Sequence, residues 1–353
     1  MSERDKPTGP APPPQGRARW HGWWERFRHS PYLPATVLLL ILAVAAGLFA
    51  GSYTYILANP TPHRIPVAVV DGGVAVPAAG RSFLDGMNGV LNGSLHIMRY
   101  PSTATARDAV QAQQVFAILD VRSPERVPVE VSGASGSSVA EVVSGAAAQA
   151  GQQARTPVAV TDINPLQRGD PRGLAIFYIT LAAVIIGFVG AIQLGVHARA
   201  LGAAQRIAFT VAYALLGGFA IAAVVDWWLG ALSLPFVRSW AILSFTMFTS
   251  GMIFSMFSAL FGRWAMIPTW GVMVLLGNPS SGGAVSWPLL PSVLGAIGRW
   301  LPPGASVNAQ HTAVYFRGHQ HVFPYLVLAG WALVACAVFW VRRDRRDDAD
   351  GAD

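Results

Sequence analysis

Residues 264–322 constrain this chain most, because they begin as a membrane span and do not complete one. Trp264-Ala-Met-Ile-Pro-Thr-Trp-Gly-Val-Met-Val-Leu-Leu276 is apolar, but a helix needs about 20 such residues to cross a bilayer. It runs into Gly277-Asn278-Pro279-Ser280-Ser281-Gly282-Gly283. Trp287-Pro288-Leu289-Leu290-Pro291 follows, then a short apolar turn of helix to Ile297, then Trp300-Leu301-Pro302-Pro303-Gly304. Between Gly283 and Phe316, Arg299 is the only Asp, Glu, Lys or Arg. Glycine and proline interrupt helices, and irregular backbone near lipid is tolerated only where protein buries it or a watery cavity lines it. Residues 277–304 therefore read as a re-entrant element on the outer side of a helical membrane domain. An ordinary extracytoplasmic loop with one interfacial helix is the alternative.

The rest of the chain supports a membrane setting. It is 53% hydrophobic and 12% charged, against about 25% charged in soluble domains. The formal charge of +7 comes from arginines at the ends of apolar runs, a pattern that speaks for topology rather than nucleic-acid binding. Cys336 is the only cysteine, so no intrachain disulfide is possible.

The expected fold is an α-helical integral membrane protein of six transmembrane helices, with the outer re-entrant segment and an inserted small α/β extracytoplasmic domain. Residues 1–17 are Pro-rich and polar and read as a disordered cytoplasmic tail. Residues 18–31 place Trp20, Trp23, Trp24 and Phe27 at helical spacing beside Arg19, Arg26 and Arg28, as an interfacial amphipathic helix does; a basic flank with a few tryptophans is the plainer alternative. The first span is 32–57. Ala43-Val44-Ala45 resembles a signal cleavage site, but the apolar run continues well past it.

Residues 58–172 alternate strands with helices: strands at 65–70, 95–100, 115–121, 127–132 and 157–163, and helices near 78–91, 103–114 and 137–152. That alternation indicates an α/β layer domain. A five-span domain at 173–342 follows, with spans at 173–196, 207–229, 241–261, from 264 onward, and 323–341, and then a cytoplasmic tail at 343–353. Arginines from Arg17 to Arg28, at Arg199 and Arg206, at Arg263, and from Arg342 to Arg346 alternate with poorly charged loops. This puts both termini inside and 58–172 outside the cytoplasmic membrane.

Several chemistries are absent. Lys6 is the only lysine, so no Gly-x-x-x-x-Gly-Lys-Ser/Thr loop exists and the chain is not itself a P-loop ATPase. Asp226 reads as an acid near the end of its span, marked by Trp227 and Trp228, rather than a proton site. His311, His319 and His321 lack the accompanying ligands of a usual metal site. Asn92-Gly93-Ser94 matches a glycosylation acceptor by chance composition. No catalytic, cofactor or metal set is expected, and no enzyme activity.

Gly277-Asn278-Pro279-Ser280-Ser281-Gly282 and Ile297-Gly298-Arg299-Trp300-Leu301-Pro302-Pro303-Gly304-Ala305 resemble the bacterial phage-infection-protein (YhgE/Pip) group, which looks related to membrane subunits of ABC-2-type exporters. Ile65-Pro-Val-Ala-Val-Val-Asp71 and Val115-Phe-Ala-Ile-Leu-Asp-Val121 look like two outer-domain strands of that group, and the resemblance covers residues 20–342. It implies an export permease embedded in membrane lipid, working as a homodimer or heterodimer with a separate cytoplasmic ATP-binding-cassette ATPase. By the same resemblance, Gly277, Asn278, Pro279, Gly282, Trp300, Pro302, Pro303 and Gly304 would form an outer gate. His197, Arg199 and Arg206, in the inner loop 197–206, would touch the ATPase. A non-transporting envelope scaffold, secretion accessory or surface-binding protein is the alternative.

Overall fold

The computed structural model describes residues 30–350 apart from 31, 59, 74, 124 and 199, with backbone alone from 344 to 350. The tail expected at 1–17, the interfacial helix expected at 18–31 save for Ser30, Arg199 and the last residues of the tail 343–353 lie outside the described residues. The described residues divide between Gly51 and Ser52 into two compact units. The first helix, α1 (Tyr32–Leu57), contributes its last turns to the second unit, which contains everything discussed below.

After α1 the chain builds the α/β domain from β1 (Ile65–Val70), α2 (Ala78–Val90), β2 (Leu95–Tyr100), α3 (Thr103–Gln111), β3 (Ala117–Asp120), β4 (Val127–Val131), α4 (Ser137–Ala154) and β5 (Val158–Asp162). The five strands form one sheet in the order β2-β1-β3-β4-β5. β1 runs parallel to β2 and β3, β3 pairs antiparallel with β4, and β4 runs parallel to β5. Successive side chains in a strand point to opposite faces, and β1 uses both. Val67 and Val69 join Phe83 and Met87 of α2 and Val139, Val143 and Ala147 of α4 in one core. Ala68 and Val70 join Ala106, Ala109 and Val110 of α3 in the other. β1 ends where Asp71 accepts the Gly73 N–H (3.0 Å) and pairs with Arg99 at 2.7 Å; together these hold the Asp71 carboxyl below the usual carboxylate range. Every expected strand and helix of the domain is present. The helix expected to reach Gln114 stops at Gln111, and Gln113 takes a left-handed backbone (φ 57°), as residues just past a helix C-terminus commonly do.

The remainder is helical: α5 (Ala175–His197), α6 (Ala203–Ala223, prolonged by a π-turn Val224–Trp228), α7 (Phe236–Phe261), α8 (Met266–Trp270, prolonged by a π-helical stretch Gly271–Gly277), α9 (Ser292–Gly298), α10 (Pro302–Tyr315) and α11 (Phe323–Asp350). Among the described residues five helices are long and apolar enough to cross a membrane: α1, α5, α6 with its π-turn, α7 and α11. Met266–Gly277 is apolar but shorter. α7 packs against α5, α6, α10 and α11 and carries a buried set of small polar residues, Ser239, Ser244, Thr246, Thr249 and Ser250. Small residues let helix backbones approach closely where lipid supplies no hydrophobic drive between them. Gly187 of α5 sits directly against Met247, and Gly218 of α6 against Ser244. Ser250 donates to the Val184 carbonyl and Tyr213 to the Gly187 carbonyl, each at 2.6 Å.

Leu119 is fully buried at the centre of the sheet. Leu119→Ala should destabilise the α/β domain by about 2–5 kcal/mol, read as lost amide-exchange protection across β1 and β3 while α5 and α7 keep theirs.

Candidate functional site

The site is built on the interrupted segment between α8 and α11. α8 contains Pro268 and passes into π geometry from Gly271 to Gly277, a form seen mostly as local insertions at functional positions. Gly277 follows from close packing, since an added Cβ would press on the Val272 carbonyl and on Pro303. From Gly277 to Ser281 every residue is buried. The Asn278 amide donates to the Tyr53 hydroxyl of α1 at 2.9 Å, while its Oδ1 is buried with no partner among the described residues. Leaving such an acceptor unsatisfied costs about 1–3 kcal/mol.

The path then doubles back. From Ser281 the chain runs to the α/β domain, where Ser286 accepts a hydrogen bond from the Ser138 hydroxyl (3.0 Å) and donates its own N–H to Ser138 Oγ (3.0 Å). Two backbone bonds, Thr61 N–H to the Leu289 carbonyl (3.1 Å) and His63 N–H to the Pro288 carbonyl (2.6 Å), complete this junction. Leu289 belongs to the core of the α/β domain. The two backbone bonds from Thr61 and His63, just ahead of β1, hold it there. Leu290 and Leu301 are buried, Leu294 is half-buried and Ile297 is exposed.

α9 then returns the chain to Ser280. A Cβ on Gly298 would fall on the Ser280 carbonyl oxygen, and one on Gly304 on the Gly298 carbonyl. Three stretches of backbone therefore meet at positions where only glycine fits. At the bend, Gly282 has φ +82° and lies under the Trp287 indole, whose N–H donates to the Ser281 carbonyl at 3.2 Å.

Pro302 and Pro303 do not end a helix; they begin one. They occupy the first two positions of α10, where the missing N–H removes no helical bond. Eleven of the fourteen residues of α10 are buried. It is tied to α7 by Thr246 with Ser306 (2.7 Å) and by the Gln310 amide donating to the Ser239 carbonyl (2.9 Å). Trp331 of α11 donates to the Trp300 carbonyl (2.8 Å).

Gly277, Asn278, Pro279, Gly282, Trp300, Pro302, Pro303 and Gly304 are thus gathered into one structure. All are buried except half-buried Gly282 and exposed Trp300. α10 itself, the Ser138–Ser286 junction, Tyr53 and Gln310 escape the sequence reading. A Pro-Pro pair opening a run without further breakers was the one available signal for α10.

The other three candidates lie elsewhere. His197 is exposed in the last turn of α5, with Nδ1 3.1 Å from the Gln193 carbonyl. Arg206 is half-buried, donates to the Ala198 carbonyl (3.3 Å) and lines a cavity of about 230 Å³ with Arg342 and Arg343. Arg199 is outside the described residues. No group of His, Cys, Asp and Glu suited to a metal occurs among the described residues.

No protein-family model matches the chain, and no curated protein is significantly similar to it.

The glycine contacts set a sharp contrast. Gly298→Ala and Gly304→Ala should cut the yield of monodisperse protein severely, whereas Gly271→Ala and Gly318→Ala, with open space at the Cβ position, should be close to silent. Size-exclusion profiles in mild detergent provide the comparison, and equal behaviour of all four would contradict the close backbone approach.

Proposed function

We propose that this chain is an export-type membrane subunit of the ABC-2 kind, a permease that works as a dimer with a separate cytoplasmic ATP-binding-cassette ATPase. In this reading it crosses the cytoplasmic membrane six times, with the interrupted Met266–Gly277 as part of the fifth crossing. Both termini are inside and the α/β domain is outside. Residues 277–304 and α10 form the outer, re-entrant part of the membrane domain.

One observation carries the proposal. Residues 277–281, which hold Asn278, Ser280 and Ser281, are buried throughout, and the irregular segment they open is joined by hydrogen bonds to apolar helices on one side and to the α/β domain on the other. Such a segment costs free energy to bury, and an element that opens and closes a path between an outer domain and the spans gives it a use. Support also comes from the helix lengths and from the arginine alternation.

The proposed ATPase contact is narrowed by the geometry. Arg206 is turned toward Arg342 and Arg343 and is a poor docking residue, while His197 is exposed. Affinity purification of the tagged protein in mild detergent should recover an ATP-binding-cassette protein. His197→Glu combined with Arg199→Glu should reduce that recovery several-fold, because reversed charge opposes a surface matched to the native one. Recovery of secretion or envelope proteins with no ATPase would favour the scaffold reading instead.

A further inference from the structure

Between the α/β domain and the interrupted segment lies a cavity of about 1180 Å³, somewhat larger than the roughly 300–1,000 Å³ usual for small-molecule sites. Its wall carries charge of one sign. Arg64, just before β1, and Arg299, just after α9, both line it, and no described Asp or Glu does. Among the described residues neither arginine is in an ion pair; the pairs there join Arg99 to Asp71, Arg107 to Glu130 and Arg122 to Asp120. Two cations without counter-charges in a recess with low-dielectric walls concentrate the field on whatever enters it.

Arg299 is also positioned. Its guanidinium lies over the Trp287 ring, 4.1 Å from the centroid, and the indole in turn rests on the bare backbone of Gly282. Stacking on a ring face leaves the in-plane N–H groups of a guanidinium free, and that planar fork matches a phosphate or carboxylate. Asn308, Gln320 and Ser292 add polar groups to the wall.

An apolar patch lies beside the arginines, which are themselves exposed at the cavity wall. Trp300, Val322 and Phe323 line the cavity and are 63%, 67% and 41% exposed, with the Trp300 and Phe323 rings edge to face at 4.9 Å. Val293, Ile297 and Leu326 are exposed as well. A cationic patch beside an apolar one on the same wall fits a molecule that has an anionic head and a hydrocarbon tail.

We propose that this cavity binds an anionic, lipid-like amphiphile, with its head held by Arg299 and Arg64 and its tail leaving over Trp300, Val322 and Phe323. As a substrate class the proposal rests on the export reading, but the binding itself needs no ATPase. A soluble phosphate or organic acid offers the same head chemistry without the tail, so both sources enter the test.

The full chain, purified in a neutral maltoside detergent, is titrated with dioctanoyl phosphatidic acid, with dioctanoyl phosphatidylcholine and with inorganic phosphate. The anionic lipid should bind about tenfold more tightly than the zwitterionic one, the difference being the charge-assisted bonds to guanidinium. Arg299→Gln and Arg64→Gln should each weaken it about fivefold or more, while Arg317→Gln, exposed outside the cavity, should change it less than about twofold. Inorganic phosphate should compete only weakly. Equal affinity for the two lipids, or no loss in the arginine variants, overturns the proposal. Competition by inorganic phosphate at concentrations equal to the lipid overturns its lipid half. If Arg299→Gln does not fold, Arg64→Gln decides alone, because that side chain is exposed, and unchanged affinity there overturns the proposal. Loss of ATPase co-purification leaves these binding results standing, and loss of anion selectivity leaves the export reading standing, so the two fail separately.

Discussion

Backbone N–H and C=O groups removed from water must find partners, and the interrupted segment between α8 and α11 is where this chain meets that demand without a regular helix. Its solution is local and two-sided. Side-chain donors reach backbone carbonyls, as with Trp287 to Ser281, Ser280 to Leu276 and Trp331 to Trp300. Backbone donors of Thr61 and His63, ahead of β1, reach Leu289 and Pro288. The glycines at 298 and 304 allow three backbone stretches to pack with no side chain between them. The rest of the arrangement depends on that compact knot: α10 is launched from it, α9 returns to it, and Trp287 is held beside it.

The knot joins two different kinds of structure. Toward the helices it meets α1 through Tyr53 and α11 through Trp331. Toward the sheet it meets α4 through Ser138 and contributes Leu289 to the domain core. A displacement of the α/β domain relative to α7 and α11 must therefore strain or break named contacts in the segment. Packed interfaces tend to have discrete arrangements rather than deform continuously, so this joint is the natural place for a two-state element in the proposed exporter. The Oδ1 of Asn278, with no partner among the described residues, is an unspent hydrogen-bond acceptor at its centre.

Much of the fold is legible in the sequence because two periodicities are strong. Strand-length apolar runs such as Ile65-Pro-Val-Ala-Val-Val70, bounded by Asp-Gly-Gly, give the sheet positions almost residue by residue. Runs of twenty or so apolar residues give the long helices. Strand order is not legible, because the antiparallel β3–β4 pair between two parallel arms is decided by long-range packing of α2, α3 and α4. The candidate gate residues follow from the resemblance carried by residues 277–282 and 297–305; composition by itself gives only a broken, largely apolar segment of Gly, Pro and Asn. Their partners were missed because Tyr53 and Ser138 are distant in sequence and unremarkable in composition. α10 was missed for a specific reason: Pro302-Pro303 was read as a break, whereas proline at the first positions of a helix satisfies the same geometry. Arg299 stood out as a lone charge, but its stack on Trp287 depends on the left-handed turn at Gly282 and is not readable from spacing.

The central claim is that the interrupted segment lies within the outer half of the membrane domain rather than in solvent. Val293 and Ile297 on α9 test it directly, because they are 67% and 44% exposed within the chain itself, so any protection they show must come from lipid or from a second subunit. Single cysteines at these positions, in a Cys336→Ala background, are challenged in intact cells with a membrane-impermeant thiol reagent. A cysteine at exposed Glu141 of the α/β domain serves as the reference. The account predicts rapid modification at position 141 and little or none at 293 and 297 until the membrane is dissolved in denaturing detergent. Modification of 293 and 297 as fast and complete as that at 141 would contradict it and place the segment in water.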